Sequence, residues 1–263
     1  MRQSRAGQET RVSDGHAERL TEYVSSVARE RRWPNQRPRD AATLIVIDRG
    51  GAAPKVLMGK RHHGHKFMPG KFVFPGGRIE ADDRRMPAEG ALPPPVEAAL
   101  IARTVRPSPS RGRALALTAI RETYEETGLM IGRRAESMPA GPRAGSWASF
   151  FERGILPDLG AVHFIGRAIT PPRRPKRFDT RFFAIDREAI ALEEPGFVGP
   201  DKELVELLWV EVEEAMKLDL PPITVVMLQE LERRAEEGFG HELPVPFYYE
   251  RQKRFVRELL GPA

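Results

Sequence analysis

The 263-residue chain contains no cysteine. Disulfides, thiolate nucleophiles and cysteine-based zinc or iron–sulfur sites are therefore excluded. It also lacks any run of 18 apolar residues, so no membrane-spanning helix is expected. The opening Met1-Arg2-Gln3-Ser4-Arg5 has no apolar signal core, and the closing Leu259-Leu260-Gly261-Pro262-Ala263 carries no recognisable peroxisomal address. A cytoplasmic location is the expectation. No internal repeat or low-complexity tract stands out. Aromatic residues are only 8% of the chain, and the one basic run that meets an aromatic, residues 171–178, ends on a single Phe178. A single-stranded RNA reader would interleave aromatics with basic residues, so nucleic acid is not the expected partner.

What is present fits a globular chain long enough for a sizeable core: 40% hydrophobic and 30% charged residues. The net charge of +5 suits nucleic acid and a polyanionic small molecule equally well.

Residues 1–14 are polar and read as disordered. Residues 17–31 form a short helix with Leu20, Val24 and Val27 on one face, and residues 33–38 are a linker. Strands are expected at 41–47 and 55–60, joined by a glycine- and alanine-rich hairpin, and at 71–74. Residues 81–109 are edged by Pro93-Pro94-Pro95 and Pro107-Ser108-Pro109, with a helix-compatible patch at 96–105. Helices follow at 113–127 and 146–152. Strands follow at 161–169 and 178–185, around a basic turn at 171–177, and at 204–210. A short helix at 213–216 precedes an amphipathic one at 222–237, with Val225, Leu228 and Leu231 inward. Paired strands with helices between and after them imply a mixed sheet covered on both faces.

Two short segments carry the chemistry. Residues 121–129 read R-E-T-Y-E-E-T-G-L, and residues 74–80 read F-P-G-G-R-I-E. On a helix, Glu126 lies ~40° and Glu125 ~60° to either side of Glu122, so all three carboxylates point one way. Such a cluster is cheap only with a cation in its midst; without other signals it would read as a solvated acidic face. Oxygen ligands on a rigid helix face suit Mg²⁺ or Mn²⁺ rather than zinc. An apolar run at 114–120 leads into the helix, and Gly128 stands where a capping glycine belongs. Phe74-Pro75-Gly76-Gly77 supplies a loop whose backbone can approach a ligand.

These residues resemble the Nudix box, G-x5-E-x7-R-E-U-x-E-E-x-G-U, where U is aliphatic. Gly77 matches its first glycine, and Arg121, Glu122, Glu125, Glu126, Gly128 and Leu129 match its second half. Thr123 takes a usually aliphatic slot. Asp83 stands where the first glutamate belongs, and Arg121 follows it by 38 positions instead of 8. The box therefore reads as split by an insertion at about residues 84–113. The resulting division is an N-terminal arm and short helix at 1–38 and a Nudix domain at 39–263.

The resemblance implies an α/β fold, a Nudix-type α/β/α sandwich with a mixed sheet. It implies metal-dependent hydrolysis of a nucleoside diphosphate linked to another group, with Mg²⁺ or Mn²⁺ held by Glu122, Glu125, Glu126 and the carbonyl of Gly76. Arg121 would orient a carboxylate. A base from outside the helix is expected because ligating carboxylates are committed: Glu203, six residues before Trp209, with Glu206 its rival. Glu80 would stand behind the ligands, and Asp83 is uncertain because the insertion begins there. Arg61, Gly77 and Arg177 are the substrate-binding candidates. His62, His63 and His65 lack the spacing of a zinc site and read as a basic loop near the substrate. The split box, Phe67-Met68-Pro69-Gly70 and residues 177–183 resemble the acyl-CoA diphosphatase-type branch, which favours CoA or acyl-CoA. ADP-ribose, NADH, nucleotide sugars, a non-catalytic ligand- or RNA-binding module, and an interaction protein acting through its insertion are the alternatives. A homodimer is left open.

Overall fold

The strand expected at residues 41–47 becomes the spine of a mixed sheet. The structure is a computed structural model that describes residues 6–64 and 68–261. In chain order the elements are α1 (Ala6–Ser26), β1 (Arg39–Asp48), β2 (Lys55–Arg61), β3 (Phe72–Val73), β4 (Gly76–Arg78), α2 (Pro94–Ile101), α3 (Pro109–Thr127), β5 (Leu129–Ile131), β6 (Arg133–Arg134) and α4 (Ser146–Arg153). They continue with β7 (Ile155–Leu156), β8 (His163–Ile169), β9 (Phe178–Asp186), β10 (Ile190–Glu193), β11 (Leu204–Glu211), α5 (Val212–Ala215), α6 (Pro222–Glu236), β12 (Val245–Arg251) and β13 (Arg254–Leu260).

The main sheet runs β11-β2-β1-β9-β8-β12-β13, with β3 added to β2 and β4 to β1. β1 pairs parallel with β9, Arg39 opposite Phe178 through Ile47 opposite Asp186, while β2 and β4 join β1 antiparallel. β1 is central, so both its faces are covered. Ala42, Leu44 and Val46 face a core with Leu115, Leu117 and Ile120 of α3, whereas Ile45 and Ile47 face Leu228 and Leu231 of α6. That alternation follows from the two-residue period of a strand. The result is the α/β/α sandwich with a mixed sheet. α1 closes a third cluster, with Leu20 and Val24 against Phe182, Met227 and Phe255. Among the described residues no helix is long and apolar enough to cross a membrane.

Four expectations are corrected. The polar residues 6–14 are helical rather than disordered, because α1 begins at Ala6 and extends from the turn anchored by Leu20 and Val24; adding turns to a docked helix costs far less than nucleating one. Residues 1–5 lie outside the described residues, and Val27 lies beyond the end of α1. α3 starts at Pro109, four residues early, because proline is well placed at a first helical position. Gly76 and Gly77 are not a free loop: they pair with Thr43 and Ala42 of β1. The β12–β13 hairpin was not foreseen. Its turn uses Gln252 and Lys253, both with positive φ (50° and 65°), where Asn-Gly would have been the readable signal.

Candidate active site

Glu122, Glu125 and Glu126 sit in the last turns of α3, which ends at Gly128 in the left-handed region (φ 78°) with its amide bonded to the Tyr124 carbonyl. Beneath them lies Arg121, 2% exposed. Its Nε donates to Asp83 Oδ1 (2.8 Å), its Nη2 to Asp83 Oδ2 (3.1 Å) and to the Arg78 carbonyl (2.9 Å), and its Nη1 to both oxygens of Glu125 (3.0 Å). Glu122 Oε1 is also 3.0 Å from Nη1. Burial works against the charge on Arg121, but the Asp83 hydrogen bonds and the surrounding carboxylates hold it protonated.

Asp83, uncertain from the sequence, proves to be the hub of this array. It is fully buried and also accepts from Thr118 Oγ1 (2.8 Å), Trp147 Nε1 (3.0 Å) and the Glu80 amide (2.8 Å). Glu80 itself thus contributes its backbone rather than its side chain. Trp147 and Thr118 were missed. Neither belongs to the Nudix pattern, and Thr118 sits in what looks like a plain apolar run. Between Asp83 and Arg121 the chain makes a short turn at Asp82–Arg84, then α2, then the first half of α3.

Glu122 packs directly on Gly77. A β-carbon there would lie 2.2 Å from Glu122 Oε1, so only glycine admits the carboxylate in this position. Burial, together with the Glu125 and Asp83 charges, pushes Glu122 up to about 7 against the pull of Arg121. Glu126 is 6% exposed, and its Oε2 is buried with no hydrogen-bond partner. Burial and the neighbouring Glu203 and Glu122 charges drive its pKa well above the usual range, opposed by Arg61 and a backbone hydrogen bond from Gly76. An orphaned buried carboxylate oxygen beside two further carboxylates is the donor chemistry that a hard divalent cation satisfies. Among the described residues no three acidic or histidine side chains enclose a common point, because Glu122 and Glu125 are drawn onto Arg121.

A scan against protein-family models finds no match, as expected where the box spacing is broken. The acyl-coenzyme A diphosphatase NUDT19 of Gallus gallus is 31% identical over 200 residues, covering 57% of this chain and 52% of the relative. The putative nudix hydrolase 7 of Caenorhabditis elegans is 27% identical over 209 residues, covering 73% of this chain and 60% of the relative. The chain thus spans between half and two thirds of the length of these relatives. The crystal structure of a NUDIX hydrolase from Alicyclobacillus acidocaldarius matches with a TM-score of 0.56 and 28% identity, covering 74% of this chain and 90% of that one.

In sequence and in fold the chain is similar to Nudix hydrolases. The other Nudix candidates fall on both sides of α3. Glu203, just before β11, lies beside Glu126 closely enough to raise its pKa, and its Oε1 is 2.8 Å from Arg61 Nη2. Its rival Glu206 is instead half-exposed on β11, 4.0 Å from Lys60. Arg177 is a clamp: it donates to the Thr170 and Gln36 carbonyls and to Asn35 Oδ1, tying the N-terminal linker to the β8–β9 turn. His62 lines a cavity of about 440 Å³ with Glu203 and Lys202, while His63 packs on Gly70. His65 lies outside the described residues. On the opposite flank, a cleft of about 530 Å³ is lined by Glu122, Glu80, Arg39, Arg78 and Arg84.

Proposed function

We propose that this chain is a Mg²⁺- or Mn²⁺-dependent diphosphatase that hydrolyses a nucleoside diphosphate derivative, with CoA or acyl-CoA the favoured substrate. The observation that supports it most is Glu126: a buried carboxylate with an orphaned oxygen, beside Glu122 and Glu203. Protein evolution rarely leaves such a charge buried without a counter-charge. Glu122, Glu126 and, after a modest turn away from Arg121, Glu125 are the residues that would hold the ion. When bound it would screen the diphosphate and lower the pKa of water at the site.

The chain's own residues do the rest. Asp83 fixes Arg121, and Arg121 holds Glu122 and Glu125 at the end of α3. Gly77 leaves room for the Glu122 carboxylate. Glu203, ion-paired to Arg61 and outside the helix, is the group free to accept a proton from the attacking water. Arg61 on one flank and the arginines of the cleft on the other supply positive charge where a diphosphate would lie. The name carried by the Gallus gallus relative supports the CoA assignment. So does the basic cleft.

The deciding experiment is a hydrolysis screen across CoA, acyl-CoAs, NADH, ADP-ribose and capped RNA, with Mg²⁺, with Mn²⁺ and with chelator. Release of adenosine 3′,5′-bisphosphate from CoA, abolished by chelator, is expected. Faster turnover of NADH or ADP-ribose would move the assignment to those substrates.

A further inference from the structure

The cleft beside Glu122 does not end at Arg39 and Arg78. The same two arginines form a wall of a second cavity, of about 350 Å³, whose remaining lining is Gln36, Lys176, Arg177 and Phe178. Four of these six residues are cationic and none is acidic. Among the described residues no carboxylate pairs with Arg39 or Arg78. The nearest acid on the same strand, Asp40, is already committed to Arg111 and Arg181, and its pKa is lowered accordingly. Like charges gathered in one concavity repel one another, and an anion between them removes that cost.

The lining is also held in place. The Arg39 amide bonds the Arg177 carbonyl (3.0 Å), and the Arg177 guanidinium is fixed on Thr170, Asn35 and Gln36. Arg78 is anchored through its carbonyl, which accepts from Arg121. The site is therefore continuous with the catalytic array at one end and built from rigid strand ends at the other. Phe178 also lines this cavity.

We propose that this second cavity binds a phosphomonoester carried on the nucleoside of the substrate, separate from the diphosphate that is cleaved. The inference rests on the function proposed above and adds the group that the enzyme would use to tell its substrate from otherwise similar dinucleotides. A phosphomonoester dianion makes charge-assisted hydrogen bonds to two or three of these side chains; a free hydroxyl in its place makes none of comparable strength.

Binding to the whole 263-residue chain tests this without requiring turnover. Calorimetry would compare adenosine 3′,5′-bisphosphate with adenosine 5′-monophosphate, for the wild type and for Arg39→Gln and Lys176→Ala. The bisphosphate should bind at least about tenfold more tightly to the wild type, and each variant should shrink that ratio. Equal affinities, a ratio unchanged in both variants, or no binding of the bisphosphate overturns the proposal. Failure of the hydrolysis screen would overturn the proposed activity instead and would leave this binding preference standing.

Discussion

Asp83 and Arg121, 38 positions apart in the chain, form a buried ion pair at 2.8 Å, with side chains 0% and 2% exposed. Arg121 also donates to Glu125 and to the Arg78 carbonyl and lies 3.0 Å from Glu122. Asp83→Ala should destabilise the protein by about 3–5 kcal/mol, because it strands a buried guanidinium. Asp83→Asn, which keeps an acceptor for Trp147, should cost less. Chemical denaturation of the two variants measures the difference; equal and small losses would show that Arg121 is held by Glu122 and Glu125 alone.

Glu126→Gln separates chemistry from folding. The substitution removes a buried charge that its surroundings disfavour, so in chelator the variant should melt at the same temperature as the wild type or higher. With Mg²⁺ or Mn²⁺ present, turnover should fall by several orders of magnitude. Near-wild-type turnover would remove Glu126 from the proposed metal site.

Gly77→Ala tests the contact between the β4 backbone and α3. The new methyl would meet the far end of the Glu122 side chain, which can swing aside, so stability should change by no more than about 1 kcal/mol. Displacing that carboxylate should nevertheless lower kcat on the order of 100-fold. Steady-state kinetics beside a melting curve reads both effects.

His163 contributes to acid stability. It stacks on His241 (4.1 Å) and against Phe239 (4.5 Å), and burial, aided by the His241 and Arg234 charges, lowers its pKa to about 3. The unfolded chain takes up that proton near pH 6.5 while the folded chain refuses it. The stabilisation is therefore fully present above pH 6.5 and is lost as the pH falls toward 3. Between pH 7.5 and 5.0 this group should remove roughly 1–2 kcal/mol, and His163→Phe should lose correspondingly less over the same interval. Parallel denaturation curves at the two pH values decide it.

Much of the candidate site was legible because helix spacing alone puts Glu122, Glu125 and Glu126 on one face, and because Gly128 and the strand alternation of residues 41–47 are local signals. The sheet position of Gly76-Gly77 was not legible. Its pairing with Ala42 and Thr43 is a long-range choice, and glycine carries no strand preference of its own. Asp83 was obscured for a related reason: its donors come from four residues, Glu80, Thr118, Arg121 and Trp147, and no sequence window contains all of them. The C-terminal hairpin was hidden by its turn residues. Its strand Val245–Arg251 shows the apolar and aromatic content of a strand, but nothing local announces that it lies beside β8.

The long tether between Asp83 and Arg121 has an entropic consequence. Closing a loop of 38 positions instead of 8 adds only about 1.4 kcal/mol of chain-closure cost, because that cost grows with the logarithm of length. Breaking the buried pair it joins by removing one partner costs more than that, about 3–5 kcal/mol. In chain-closure terms the length of residues 84–113 is therefore inexpensive to change while Asp83 still finds Arg121, whereas their sequence is held where Met86, Leu92, Val96, Ala99 and Leu100 pack into the core.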